Sequence, residues 1–257
     1  MLAQVTLTPA AGKRLIGKAI AALESVQNAL ERGTLIIATS TTTGYVAEEL
    51  LGEEIDKAHF TAGVVTVDGC GITDAASRYD HHVLRKGELT TMTTPELVPV
   101  LIEMGPDDVF IKGANAIDTS GAAGILMAGI GGGTIGTVWG YLTSNGVKTI
   151  IAAGLEKLVS TNLVDVIHRT GRNRLDKHMG LACGLMVVHG EIVTEVEAFR
   201  HLFDIEAIAI AAGGINGGEG SRVFLLEGET ANTEAAYDLV MQLKAEPRLE
   251  CKTIPIP

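Results

Sequence analysis

Apolar residues recur at helical spacing early in the chain: Leu15, Ile16, Ile20, Leu23, Val26 and Leu30 share one face. This predicts one helix over 9–31, opened by the stretch from Pro9 to Gly12 and closed by Arg32-Gly33. Ahead of it, Gln4-Val5-Thr6-Leu7-Thr8 alternates and reads as a short strand. Behind it, Thr34-Leu35-Ile36-Ile37-Ala38 is apolar almost throughout, as a strand buried on both faces should be. That run passes into Thr39-Ser40-Thr41-Thr42-Thr43-Gly44 and a short helix over 45–51. Further strands are predicted over 61–67, 80–84, 108–112 and 148–153. Thr94-Pro95-Glu96 opens a helix, with a Thr cap, Pro in the first position and an acid in the first turn. Ile130-Gly131-Gly132-Gly133-Thr134 precedes another over 135–144, which Asn145-Gly146 ends. Strands alternating with helices predict a doubly wound, mostly parallel sheet. In such a sheet ligands bind at the carboxyl ends of the strands.

Past residue 178 the rhythm changes. Strands over 184–193, 206–212, 222–226 and 249–254, with helices over 195–203 and 233–244, give the order βαββαβ of a ferredoxin-like domain. The expected organisation is an α/β, Rossmann-like domain over 1–178 carrying the pocket and a ferredoxin-like α+β domain over 179–257, joined through 162–178.

Composition narrows the function classes. The chain has 257 residues, 46% of them hydrophobic but only 4% aromatic, with 31 glycines. Small aliphatic residues must therefore fill the core. The net charge of −11 runs against nucleic acid and anionic membrane as partners. No apolar run has the length of a membrane span, and no signal peptide is recognisable at Met1. Cys70, Cys183 and Cys251 are widely spaced, which suggests a reducing compartment and cytoplasmic location. His81-His82 are adjacent, so on a strand they face opposite ways. No metal site and no cofactor is expected.

Three loops carry candidate chemistry. Thr39, Ser40, Thr41, Thr42 and Thr43 present hydroxyls and backbone N–H groups at a helix N-terminus, a setting that attracts anions. Gly131, Gly132 and Gly133 with Thr134 form a second such loop, whose glycines let backbone approach a ligand or another element closely. Lys112, at the end of an apolar strand beside Gly113 and Asn115, can pair with an anion or serve as base or imine-forming amine. Asp118 and Asp68 are the candidate acid/base groups. The one basic stretch, with Arg169, Arg172, Arg174 and Lys177, reads equally as an anion clamp, a solvated joint or a subunit contact.

At these loops the sequence resembles type A ribose-5-phosphate isomerase, in the superfamily that includes glucosamine-6-phosphate deaminase and the CoA transferases. The phosphate loop and helix of that family resemble Ala38-Thr39-Ser40-Thr41-Thr42-Thr43-Gly44. Its acidic strand end is similar to Lys112-Gly113-Ala114-Asn115-Ala116-Ile117-Asp118, and its glycine loop to Ile130-Gly131-Gly132-Gly133-Thr134. A later lysine-bearing segment is similar to Ala152-Ala153-Gly154-Leu155-Glu156-Lys157-Leu158-Val159. The family also carries a ferredoxin-like domain after that segment. The departures fall on chemistry. Lys112, Asn115 and Ala116 replace family carboxylates, Ile130 replaces the lysine of the glycine loop, and the helix over 134–141 lacks the family's catalytic glutamate.

The resemblance thus implies the fold and an anion pocket, and argues against ribose-5-phosphate isomerase activity itself. The expected function is a small-metabolite enzyme, isomerase-like, acting on a phosphorylated or carboxylated substrate and forming a homo-oligomer. A non-catalytic metabolite sensor or scaffold and a CoA or acyl transferase are the alternatives. An enediol isomerase would need an unmatched carboxylate close to Lys112 in the folded pocket.

Overall fold

Residues 1–255 are described by a computed structural model. The apolar runs pack as their pattern dictates. Strands β2 (Thr34–Ile37), β7 (Val109–Gly113) and β10 (Lys148–Ala152) lie side by side and parallel in the middle of a six-stranded sheet. Alternate side chains leave opposite faces. Leu35, Ile37, Val109, Ile111, Ile150 and Ala152 join one buried cluster. Ile36, Phe110 and Ile151 join another on the far side. Two antiparallel strands, β5 (His81–Arg85) and β6 (Glu88–Met92), extend the sheet beyond β2. On the other edge β12 (Glu191–Val193) pairs parallel with β10. The protein is therefore α/β with a mixed, mostly parallel central sheet, accompanied by smaller antiparallel sheets.

The first cluster is packed by α1 (Pro9–Ala22), α2 (Glu24–Arg32), α3 (Thr41–Leu51) and α7 (Glu195–Phe203). It also takes in Phe224 and Leu226, from a three-stranded sheet ordered β1-β14-β13. Its strands are β1 (Leu2–Leu7), β13 (Glu206–Gly213) and β14 (Ser221–Glu227), with α8 (Thr230–Leu243) beside them. The second cluster is packed by α4 (Leu97–Glu103), α5 (Gly133–Asn145) and the sheet of β8 (Ala116–Ile117), β9 (Ala123–Met127) and β11 (Gly184–Val188). A short α6 (Leu163–Val166) and a hairpin of β3 (Gly63–Thr66) and β4 (Gly69–Ile72) complete the elements used below.

Several expectations change in detail. The helix over 9–31 is two helices, because Leu23 adopts an extended conformation (ψ 133°) between α1 and α2. The run 184–193 is two strands in different sheets, separated at His189-Gly190. Residues 249–254 form no ladder; Thr253 makes an isolated bridge to Thr73. Pro247 cannot donate to a ladder, which disfavours a strand entered through it. Strands also cross the expected border at 178/179 in both directions. β12 completes the central sheet, and β1 pairs antiparallel with β14. No helix among the described residues is long and apolar enough to cross a membrane.

Candidate active site

Because β2, β7 and β10 are parallel and in step, the segments that follow them emerge together. These are the hydroxyl loop, the Gly113 to Asn115 turn, and a 3-10 turn over Leu155–Lys157. A cleft of about 750 Å³ opens there, with Lys13, Thr41, Asn115, Glu156 and Lys157 in its wall. The β3–β4 hairpin and residues near Arg248 supply the opposite side.

At the cleft floor the side chains are ionisable and short of partners. Lys13, from α1, is buried and pairs with Glu156 Oε1 at 2.7 Å. Glu156 Oε2 is sealed from solvent and has no hydrogen-bond partner among the described residues. Burial acts to raise the Glu156 carboxyl, but Lys13 and Lys157 outweigh it and hold the group below its ordinary value. It is an ionised carboxylate with one oxygen free.

Glu195 lies directly behind. It is the first residue of α7, only 3% exposed, and its Oε2 accepts from the Leu155 N–H at 2.8 Å. Burial, and then the charge of Glu156, push it up to about 7. Two glycines make the room. A Cβ on Gly12 would overlap Glu195 Oε1, and a Cβ on Gly154 would overlap Glu156 Oε2 and stand 2.8 Å from Glu195 Oε1. The two carboxyls thus converge on one gap in the backbone, one ionised and one able to hold a proton near neutral pH.

Two amines complete the cluster. Burial lowers Lys157 to about 8, with Lys13 adding to the fall and Glu156 and Glu195 opposing it. Lys112, on β7, does not itself line the cleft; it lies close enough to Lys157 and His81 to share their field, and is lowered to about 8 by burial and by Lys157. A desolvated ammonium near another cation gives up its proton readily. Such a constellation can bind an anion, accept a proton and return it.

The hydroxyl loop serves mostly its own helix. Ser40 caps α3, accepting from the Thr43 N–H at 3.2 Å, and Thr43 Oγ1 donates to the Ala38 carbonyl at 2.6 Å. Gly113 is needed beside it, since a Cβ there would stand 2.5 Å from Ser40 Oγ. Thr42 Oγ1 is buried without a partner, and Thr39 donates its N–H to His81 Nδ1 at 3.1 Å. Of the five hydroxyl residues, Thr41 lines the cleft. His81 is held down to about 4 by burial, then by Lys112, His82 and Arg78. It is neutral, and with Nδ1 accepting, its Nε2–H faces Thr94 Oγ1 at 2.9 Å and Thr134 Oγ1 at 3.4 Å. The glycine loop is tied to the hydroxyl loop through this imidazole. Gly131, Gly132 and Gly133 all have positive φ and do not line the cleft.

The two aspartates lie elsewhere. Asp118 accepts from Ser120 N–H and hydroxyl and from Ala122 N–H on one oxygen, and from Leu163 N–H on the other. Burial would raise it, but these donors bring it down to about 2. The carboxylate is spent on pinning the turn after β8 to the start of α6. Asp68 is exposed at the tip of the β3–β4 hairpin and does not line the cleft. Asn115 Oδ1 accepts from the Leu126 N–H at 3.0 Å, leaving its amide group at the cleft wall. In the basic stretch, Arg169, Arg172, Arg174 and Lys177 are exposed, and Arg172 reaches the Ala128 carbonyl beside the glycine loop.

Four members of the cluster were not singled out as site residues from sequence: Lys13, Glu156, Lys157 and Glu195. Glu156 and Lys157 stood within a segment that carries the family resemblance, a usable signal. Lys13 reads as the polar face of a helix, and Glu195 as an acid in a helix's first turn. No protein-family model matches the chain, and no curated protein matches it.

Proposed function

We propose that this protein is an enzyme acting on a small phosphorylated or carboxylated metabolite by proton transfer, in the manner of a sugar-phosphate isomerase. The observation that carries this reading is the free, buried oxygen of Glu156 at the cleft wall, next to a second carboxyl that holds its proton near neutrality. A buried acceptor left unpaired costs on the order of 1–3 kcal/mol, and this one stands beside a cleft and a second carboxyl. Lys157 and the Asn115 amide would hold the anionic group, with Thr41 beside them. Glu156 would supply a carboxylate in the cleft wall, which an enediol route requires and which the helix over 134–141 lacks. The likeness to the ribose-5-phosphate isomerase superfamily, with its Rossmann-like and ferredoxin-like parts, belongs to this reading, as do a homo-oligomer and a cytoplasmic setting for the three free thiols.

The same residue favours one other reading. A glutamate at a strand end is what a CoA transferase uses as nucleophile, and Glu156 follows β10 closely. A thermal-shift screen of phosphosugars, small carboxylic acids, nucleotides and CoA esters separates the two. Ligand at a hundred times its Kd stabilises by about 2.7 kcal/mol. A shift with a phosphosugar or small acid, and wash-in of solvent deuterium at a carbon of that ligand, supports the isomerase-like reading. Glu156→Gln should then lose at least about a hundredfold in rate while still binding. A shift confined to CoA esters favours transfer. Binding with no turnover would leave a metabolite sensor.

A further inference from the structure

We propose that Lys157 is a covalent residue, whose ε-amine forms an imine with a carbonyl carbon of the anionic substrate. This rests on the reading of the cleft as an active site and narrows its substrates to aldehydes and ketones. Three lysines line the cleft. Lys13 is occupied by Glu156 at 2.7 Å, and Lys244 is exposed on the rim. Lys157 alone of the three is half-buried and makes no ion pair or side-chain hydrogen bond among the described residues. It sits one residue from Glu156, whose second oxygen is free. A lysine made reactive by desolvation and a neighbouring cation is the established way to obtain a neutral amine at physiological pH, and Lys13 is that neighbour.

The step balances without a further reagent. The ammonium gives one proton to Glu156, and the free amine adds to the carbonyl carbon, forming the C–N bond. The oxygen takes up a proton from the nitrogen, becoming a hydroxyl. The C–O bond then breaks, and the hydroxyl leaves as water with the proton Glu156 received. Ammonium and carbonyl have become a protonated imine and water, with no change of oxidation state. The imine withdraws electrons from the adjacent carbon, which makes its C–H easier for Glu156 to deprotonate.

The test uses the full chain and pyridoxal 5′-phosphate, an aldehyde carrying a phosphate, followed by borohydride and peptide mapping. Lys157 should be labelled first, with a rate rising through a midpoint near pH 8. An ordinary surface lysine, lowered by no neighbour, has a neutral fraction roughly a hundredfold smaller at neutral pH. Lys157→Arg keeps the charge and should abolish the label, whereas Lys86→Met, in the exposed turn between β5 and β6, should leave Lys157 labelled. Labelling that falls first on Lys112, or evenly over Lys18, Lys86 and Lys252, overturns the proposal. A chain that binds and deuterates a ligand yet never traps at Lys157 keeps the proposed function and loses the imine.

Discussion

Lys13 and Arg14 are neighbours on α1, yet they feed two ionic clusters of opposite character. Arg14 binds Glu48 at 2.7 Å, Glu49 at 3.0 Å and Glu246 at 3.0 Å. Lys18 binds Glu49, and Lys57 binds Glu48. The Tyr45 ring lies between Arg14 and Lys57, at 4.5 and 4.8 Å. Here three cations meet three carboxylates, each charge is answered, and the carboxylate acceptors hold Arg14 above its ordinary value against burial. Around Lys13, three lysines meet two carboxyls, one of them near neutrality, and one carboxylate oxygen has no donor. Burial of charge is costly unless it is paired and hydrogen-bonded. The first cluster has the form of a scaffold. The second keeps unspent capacity where the cleft opens, the pattern expected of a working site.

Substitutions can break or sharpen this contrast. The largest effect is expected from Arg14→Met, which takes the cation from Glu246 and leaves Glu48 and Glu49 with one lysine each. Chemical denaturation should report a loss of about 3–5 kcal/mol. In the other cluster removing charge should stabilise. Glu195 is raised from 4.5 to about 7, so the folded chain binds more protons than the unfolded one in that window, and stability falls as pH rises through it. Glu195→Gln removes this slope. Above pH 7 the variant should gain on the order of 3 kcal/mol, and below 4.5 the gain should vanish. A variant destabilised at all pH values would mark Glu195 as a saturated scaffold acid after all.

Asp118 belongs with the saturated groups. Asp118→Asn leaves at least one of its donors unmatched, which should cost about 2 kcal/mol in a urea titration and spare ligand binding. Its low folded value adds stability above the ordinary carboxylate range that is lost as pH falls towards 2. The smallest effect is expected from Asp68→Asn, an exposed hairpin tip. A change beyond roughly 0.5 kcal/mol, or any loss of turnover, would return Asp68 to the site.

The local part of the architecture was legible from the chain. The apolar runs at β2, β7 and β10 announced a buried parallel sheet, and the hydroxyl run 39–43 announced a helix start at the strand ends, although α3 begins at Thr41 and takes three of those hydroxyl residues into its first turn. What sequence could not convey was company. Glu195 sits in Thr194-Glu195-Val196-Glu197, where Thr194 and Glu197 form a capping box, so an acid looks solvated and dipole-favoured there. Only the pairing of β12 with β10 drives it into the core. Lys13 looks like any polar helix residue until Glu156 arrives in the turn that follows β10. Asp118 looked reactive because its spacing resembled a family motif, but the backbone N–H groups it serves come from later residues. Pairing β1 with β14 is equally invisible to periodicity, since either strand alternates well enough to join any neighbour.

That last pairing sets an order of assembly. Residues 2–7 and 222–227 must meet across more than two hundred positions before their ladder can form. Lys13 waits with it, because α1 is held between the central sheet and those late strands. Contacts so distant along the chain are formed at a high entropic cost and slow folding. Until they meet, the edge of each strand is open to foreign pairing. The cleft, whose wall draws on residues from Thr8 to Cys251, forms only when both segments are in place.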